Sequence, residues 1–229
     1  MNKQQVRDRI TEIGIVPVVR ATSAAEALVA AQAVCDGGIP IVEITMTVPG
    51  AVEVIRELRR GIASNVLIGA GTVLDAETAR RCTDAGAEFL VSPGLDLPTV
   101  EFANRAGILM LAGALTPTEV ITAWRAGSDL VKIFPCGQVG GAKYIKALKG
   151  PLPQVPLVPT GGVNLNTAAE FIEAGSAALG VGGELVQVEA LKSGRPEVIV
   201  DNARKFLAIV QQARARNSSS PNVVVSSVP

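Results

Sequence analysis

Short apolar runs recur along the chain, and each one after the first follows a segment with the polar and apolar spacing of a helix. The runs are residues 15–19, 41–44, 66–70, 89–91, 108–111, 130–133, 155–158 and 178–181. Their length and their content of Val, Ile and Leu predict buried β-strands. In five cases a glycine lies shortly before the strand, at the place where the preceding helix should end. Glycine adopts the left-handed conformation of a helix C-cap without a Cβ clash, so each of these glycines predicts a helix end.

Helix starts are predicted by capping signals. Residues 23–26 (Ser-Ala-Ala-Glu) and 116–119 (Thr-Pro-Thr-Glu) each have the spacing of a capping box. Eight strands that alternate with helices over about 200 residues predict an α/β fold, a closed parallel (β/α)8 TIM barrel. An open doubly wound sheet is the main alternative, but no glycine-rich dinucleotide fingerprint follows the first strand. We expect one domain over residues 1–216, with an N-terminal helix and a C-terminal helix over 196–216, and a disordered tail over 217–229.

Composition and charge narrow the class of protein. The chain has 229 residues, 48% of them hydrophobic and only 3% aromatic, so its core must consist of Val, Ile, Leu and Ala. The 21 basic and 21 acidic residues cancel, which argues against nucleic acid and against an acidic membrane surface as partners. No apolar run approaches the roughly 18 residues of a membrane-spanning helix, and the charged N-terminus lacks the apolar stretch of a signal peptide. With three cysteines and no Cys-x-x-Cys spacing, we expect a cytoplasmic protein with reduced thiols.

The chain contains no histidine. This excludes Ser-His-Asp and Cys-His nucleophile systems and nearly every catalytic zinc site. Any chemistry must therefore use carboxylates, lysine, hydroxyls, backbone amides and bound water. We expect no metal and no cofactor.

Lys132 lies inside one of the predicted strands, in the run Leu-Val-Lys-Ile-Phe-Pro at residues 130–135. Burying an ammonium group costs several kcal/mol unless the group is paired or its pKa falls until it is neutral. A neutral amine attacks carbonyl carbons, so Lys132 is a candidate Schiff-base residue. The alternative is a structural ion pair with a nearby carboxylate. Glu43 is the obvious partner, since alternation places it with Thr45 on one face of its strand.

In such a barrel, active groups lie at the carboxyl ends of the strands. The residues at or just after these ends are Arg20, Glu43, Thr45, Thr47, Thr72, Ser92, Pro93, Gly113, Lys132, Phe134, Thr160, Gly161, Gly162, Gly182 and Gly183. The two glycine pairs follow the last two strands, where barrels commonly bind phosphate through backbone amides. The alternative is that both pairs are only tight turns.

Several separated motifs resemble one enzyme family. They are Glu-Ile-Thr at 43–45, Gly-Ala-Gly-Thr-Val at 69–73, Ser-Pro-Gly at 92–94, Lys-Ile-Phe-Pro at 132–135 and Pro-Thr-Gly-Gly-Val at 159–163. Together they resemble the class I 2-keto-3-deoxy-6-phosphogluconate (KDPG) aldolases. This family also contains 4-hydroxy-2-oxoglutarate (KHG) aldolase and the phosphogalactonate aldolases. The resemblance extends from about residue 5 to residue 212.

The resemblance implies a role for each matching residue. Lys132 would form the Schiff base, and Glu43 would act as general acid and base through a water molecule. Thr72 would hold the substrate carboxylate, while Thr160 belongs to the phosphate loop. The other implied substrate-binding residues are Arg20, Thr47, Pro93, Phe134, Gly161, Gly162, Gly182 and Gly183. The substrate would be a small 2-keto acid phosphate that yields pyruvate and glyceraldehyde 3-phosphate, and the assembly a homotrimer.

Two positions depart from the family pattern. Better-known members carry an arginine where this chain has Thr47, so carboxylate binding would rest on Thr72, on backbone amides and on Arg20. Glu184 follows the second glycine pair, where a small or polar residue is frequent. Since a carboxylate would repel phosphate, we expect the side chain of Glu184 to point away.

Two other functions compete with the aldolase. Phosphate-binding barrels also catalyse isomerisations and epimerisations, but these normally need a carboxylate or a Cys–Asp pair and no buried lysine. The chain could also be a trimeric scaffold with a vestigial site, against which only the intact set of Lys132, Glu43 and Thr72 argues.

Overall fold

The computed structural model describes residues 1–62 and 64–219, which form eight strands and ten α-helices. The strands are β1 (Ile15–Val19), β2 (Ile41–Thr45), β3 (Leu67–Gly71), β4 (Phe89–Val91), β5 (Leu109–Ala114), β6 (Leu130–Ile133), β7 (Leu157–Pro159) and β8 (Leu179–Val181). The helices are α1 (Lys3–Ile13), α2 (Ala24–Asp36), α3 (Ala51–Gly61), α4 (Ala76–Asp84), α5 (Leu97–Ala106), α6 (Pro117–Arg125), α7 (Ala142–Lys149), α8 (Ala168–Glu173), α9 (Val188–Lys192) and α10 (Glu197–Ser219). A 3₁₀ turn, Cys136–Val139, follows β6.

All eight strands are parallel and lie in the order β7-β6-β5-β4-β3-β2-β1-β8. A single parallel bridge between Thr160 and Gly180 joins the two outer strands. The sheet is therefore a barrel, as the sequence predicted, and not an open doubly wound sheet. Its strand pairing is sparsest between β7 and β8. Each predicted strand is present. Three have the predicted ends, and the ends of the other five differ by at most three residues.

The helix starts follow from local capping chemistry. Thr116 and Glu119 form the predicted capping box at the start of α6, with Pro117 at the first helical position. At α2 only half of the predicted box forms. The hydroxyl of Ser23 accepts from the Glu26 amide, but the Glu26 carboxylate accepts from the amide and hydroxyl of Thr22 at 2.8 and 2.7 Å. Both arrangements satisfy amide groups that the first turn of a helix leaves without partners.

The last helix packs on the outside of the barrel. α10 packs against α2 and α8, and the guanidinium group of Arg214 donates to the carbonyls of Thr11 and Ala177 at 2.6 and 3.1 Å. α10 reaches Ser219, three residues beyond the predicted end of the C-terminal helix at residue 216. The rest of the predicted tail lies outside the described residues. Within the described part of the chain, no helix has the length and apolar content needed to cross a bilayer.

Two glycines of β3 leave room for larger side chains inside the barrel. Glu43, Gly69 and Phe89 are in register on β2, β3 and β4. A Cβ at Gly69 would overlap the ring of Phe89, which is fully buried. A Cβ at Gly71 would overlap the carboxylate of Glu43. The Gly-Ala-Gly sequence of β3 is therefore a packing requirement of the barrel interior.

We predict that Gly69→Ala lowers the free energy of unfolding by about 1–3 kcal/mol, because the methyl group must displace a fully buried aromatic ring. Chemical denaturation of the two proteins measures the difference. Gly61→Ala is the control, since a Cβ there meets no atom within 4 Å. That variant should keep the wild-type stability or gain up to about 1 kcal/mol, because alanine favours a helix more than glycine does. Equal stability of Gly69→Ala and wild type would contradict the packing requirement.

Candidate active site

A cavity of about 260 Å³ opens at the carboxyl ends of the strands. The residues that line it are Val18, Arg20, Glu43, Thr72, Lys132, Phe134, Thr160, Gly161, Gly162, Val163, Gly180, Gly182, Gly183 and Glu184. Ten of the twelve predicted site residues are in this set. The cavity also has the position expected of a barrel active site.

Lys132 on β6 and Glu43 on β2 are the two buried ionisable groups of the cavity, with 6% and 2% of their surface exposed. Burial disfavours the charged form of each, so it lowers the pKa of Lys132 and raises the pKa of Glu43, and their mutual attraction opposes both shifts. Both shifts favour a neutral amine beside a carboxyl group that can carry a proton.

A direct ion pair between these two groups, which is the structural alternative to a catalytic lysine, is not present. No salt bridge within 4.0 Å joins Lys132 to Glu43 or to any other carboxylate of the described residues. Oε1 of Glu43 is buried without a hydrogen-bond partner. A buried carboxylate oxygen without a partner has a free acceptor site, which a water molecule or a substrate hydroxyl can fill. The separation leaves space between amine and carboxylate.

Arg20 adds a positive charge to the lining of the cavity. It is exposed just after β1, and its charge lowers the pKa of both Lys132 and Glu43. The guanidinium group therefore favours the neutral amine. It is also a cation that can hold a carboxylate near Lys132.

Phe134 forms part of the wall beside the amine. Nζ of Lys132 lies 5.3 Å from the centroid of the Phe134 ring. The ring covers apolar space next to the amine and so contributes to its desolvation. It can also stabilise a cation formed at this nitrogen through the negative face of its π system.

Thr72 has an unusual backbone conformation for its residue type. Its φ is 59°, and it is the non-glycine residue with positive φ among those described. A β-branched residue in this region is strained at a cost of about 1–3 kcal/mol, and such strain is concentrated at functional sites. Thr72 is half-buried and lines the cavity, consistent with a side chain held in place for binding.

Glycines form another part of the cavity wall. Gly161 and Gly162 have positive φ values of 83° and 79°. The amide of Gly137 donates to the Gly161 carbonyl at 2.9 Å, and the Thr167 hydroxyl donates to the Gly162 carbonyl at 2.9 Å. The two glycines are thus fixed by neighbouring loops and leave backbone surface accessible to a ligand.

Two predicted substrate-binding residues do not line the cavity. Thr47 is exposed, and its hydroxyl is 2.7 Å from that of Thr45, which in turn donates to a carbonyl of β1. Pro93 lies with its backbone against Gly113. Glu184 is exposed and is among the residues that line the cavity, next to Gly183.

Three lining residues were missed from the sequence. Strand alternation could have indicated Val18, two positions before Arg20, and Gly180, two positions before Gly182. Val18 is also in register with Glu43. A Cβ at Gly180 would overlap the hydroxyl of Thr160, so this glycine makes room for a predicted site residue. No simple signal indicated Val163.

The cysteines are packing residues. Burial raises the pKa of Cys35, Cys82 and Cys136 to about 11 in each case, so their thiols are protonated and poorly nucleophilic near neutral pH. None of the three forms a disulfide within the described chain. Among the described residues, no group of three potential metal ligands occurs.

Comparison with known proteins agrees with this geometry. The family model "KDPG and KHG aldolase" matches residues 6–201. The 2-dehydro-3-deoxy-phosphogluconate aldolase of Treponema pallidum is 34% identical over 204 residues, which cover 89% of this chain and 96% of the relative.

Two solved structures extend the comparison. A native KDPGal structure has a TM-score of 0.81 at 31% identity and covers 88% of this chain and 96% of its own. A Legionella pneumophila KDPG aldolase, with pyruvate captured as a covalent carbinolamine, has a TM-score of 0.81 at 28% identity and covers 87% and 97%. The extent of these matches, together with the buried lysine in its cavity, shows that the chain belongs to the KDPG and KHG aldolase family, whose members are carbon–carbon lyases.

Proposed function

We propose that this protein is a class I aldolase that reversibly cleaves a 2-keto-3-deoxy-6-phospho sugar acid of the gluconate type to pyruvate and glyceraldehyde 3-phosphate. One observation carries the proposal: a buried, desolvated amine lies in an open cavity together with a separate buried carboxyl group. The pyruvate carbinolamine of the Legionella relative supports the same chemistry here.

In the proposed mechanism, neutral Lys132 attacks the C2 carbonyl of the substrate. Glu43, acting through water, donates the proton with which the hydroxyl group leaves, and the product is a protonated imine. A water molecule bound to Glu43 then accepts the proton of the C4 hydroxyl as the C3–C4 bond breaks. The bonding electrons pass into the imine and form an enamine. The aldehyde leaves, the enamine is protonated at C3, and water releases pyruvate from Lys132.

The substrate groups have proposed positions along the cavity. The carboxylate would lie near Thr72 and Arg20, which line the same cavity as Lys132. The phosphate would lie at Gly161, Gly162 and Gly183, where backbone groups are accessible. Phosphogalactonate and 4-hydroxy-2-oxoglutarate are the alternative substrates, and the family model includes the second of these activities.

The other competing functions have less support. An isomerase or epimerase has no use for a buried lysine in the sixth strand. A vestigial scaffold has no need of an unpaired buried carboxylate oxygen or of a strained threonine beside it. The homotrimer stays a prediction from the family resemblance, and the cytoplasmic location stays a prediction from the cysteine content of the chain.

We predict that borohydride reduction in the presence of pyruvate attaches one pyruvate residue to Lys132, because only an imine is trapped as a stable amine. Peptide mass spectrometry locates the adduct. Lys132→Met should lose both the adduct and the aldolase activity, whereas Lys146→Met, at an exposed lysine, should keep both. An adduct at another lysine, or none in wild type, would refute the proposed function.

Replacement of Glu43 tests the proton transfers. Glu43→Gln keeps the size of the side chain but cannot exchange a proton, so kcat should fall roughly 10²–10⁴-fold. Steady-state kinetics measure the loss, and Glu57→Gln on the exposed surface of α3 should leave kcat unchanged. Near-normal turnover of Glu43→Gln would remove Glu43 from the mechanism.

Arg20 should control the pH dependence of imine formation. Its charge lowers the pKa of Lys132, so Arg20→Gln raises that pKa and moves the acid limb of imine formation to higher pH. The acid limb is measured by plotting against pH the rate at which the borohydride-trapped adduct forms at saturating pyruvate. Arg125→Gln, at an exposed arginine on α6, should not move it. A limb that stays in place, or moves to lower pH, would show that Arg20 does not act on the amine.

A further inference from the structure

Arg20 has no ion-pair partner that fixes its side chain. The charged residues that line the cavity are Arg20, Glu43, Lys132 and Glu184, and the charge of Arg20 acts on both Lys132 and Glu43. Within the described part of the chain, Arg20 takes part in no salt bridge within 4.0 Å, and the residue is exposed. The place of the guanidinium group therefore depends on the backbone from which the side chain extends.

The backbone just before Arg20 is held by a buried threonine of the neighbouring strand. β1 ends at Val19, which is in register with Ile44 of β2. Thr45, the last residue of β2, is fully buried, and its hydroxyl donates to the Val19 carbonyl at 3.1 Å. The carbonyl of Val19 and the amide of Arg20 belong to one planar peptide group. The bond from Thr45 therefore orients the peptide plane from which Arg20 extends.

Thr47 supports this hydrogen bond. Its hydroxyl oxygen is 2.7 Å from that of Thr45. A hydroxyl group has one proton to donate, and Thr45 donates its proton to Val19, so Thr47 is the donor of the pair. Successive hydrogen bonds polarise one another, so the bond from Thr47 strengthens the bond from Thr45 to the Val19 carbonyl.

The segment after Arg20 is held at a second point. The carboxylate of Glu26 on α2 accepts from the amide and the hydroxyl of Thr22 at 2.8 and 2.7 Å. Arg20 and Ala21 lie between this point and the Val19 carbonyl. Loss of the bond from Thr45 would free one of the two points that hold this short segment.

We propose that Thr45 is a positioning residue: it holds the backbone of Arg20 so that the guanidinium group stays in the cavity, close to the Lys132 amine and to the carboxylate of a bound 2-keto acid. This inference rests on the proposed aldolase function. Thr45 is not among the residues that line the cavity, so it would act through Arg20 and not through contact with the substrate.

Thr45→Val tests the proposal, because it removes the hydroxyl and keeps the size and branching of the side chain. The pyruvate concentration that gives half-maximal borohydride trapping should rise roughly three- to tenfold, the effect of one lost hydrogen bond. The acid limb of imine formation should move to higher pH, as in Arg20→Gln, because the charge of Arg20 lowers the pKa of Lys132. Thr45→Ser keeps a hydroxyl group and should retain the wild-type value of both quantities.

Thr47→Val, at an exposed position, is a second variant that leaves the core unchanged. It removes the donor to Thr45 and should change both quantities in the same direction by a smaller amount. Thr83→Val is the matched control, because the Thr83 hydroxyl also donates to a backbone carbonyl, that of Ala79 at 2.9 Å, but lies outside the cavity lining. It should leave both quantities at their wild-type values.

The double variant Arg20→Gln/Thr45→Val should match Arg20→Gln alone, since Thr45 acts through Arg20. Wild-type values in Thr45→Val, or in Thr47→Val should Thr45→Val fail to fold, would overturn the role of Thr45 while the adduct on Lys132 still forms. A larger shift in the double variant than in Arg20→Gln would overturn it as well. Absence of the adduct in the wild-type protein would instead overturn the aldolase function and this inference together.

Discussion

The constraint on which the rest of the site depends is the cost of placing an ammonium group in an apolar interior. Lys132 is almost fully buried, has no carboxylate within ion-pair distance among the described residues, and lies beside the ring of Phe134. Burial lowers the pKa of this amine, which shifts it toward the neutral form that can act as a nucleophile. The positive charge of Arg20 acts in the same direction.

A buried amine is useful only if a substrate can reach it, and glycine provides the space. The interior of a (β/α)8 barrel is normally filled by layers of side chains. Here Gly71 leaves room for the carboxylate of Glu43, and Gly180 leaves room for the hydroxyl of Thr160. Further glycines after β7 and β8 keep the mouth of the cavity open. Large side chains such as Phe89 fill the interior further along the strands.

The periodic features of the fold could be read from the sequence. Eight apolar runs, the glycines at helix ends and the capping signal at Thr116 determined the barrel, because each depends on local backbone chemistry. Most of the site residues could also be predicted, because the carboxyl ends of the strands in a parallel barrel meet at one face. Distances between strands were not accessible in this way. For that reason the sequence suggested an ion pair between Lys132 and Glu43 that the structure separates. Likewise, Thr47 was expected to line the cavity, but its hydroxyl group forms a hydrogen bond with that of Thr45.

The central claim is that desolvation lowers the pKa of the Lys132 amine. The most direct test is a pH titration of the lysine side-chain carbons by NMR, with the Lys132 signal assigned by its absence in Lys132→Met. We predict that this amine titrates below the exposed lysines of the same protein. Titration together with those exposed lysines, at about the ordinary lysine value of 10.4, would contradict it.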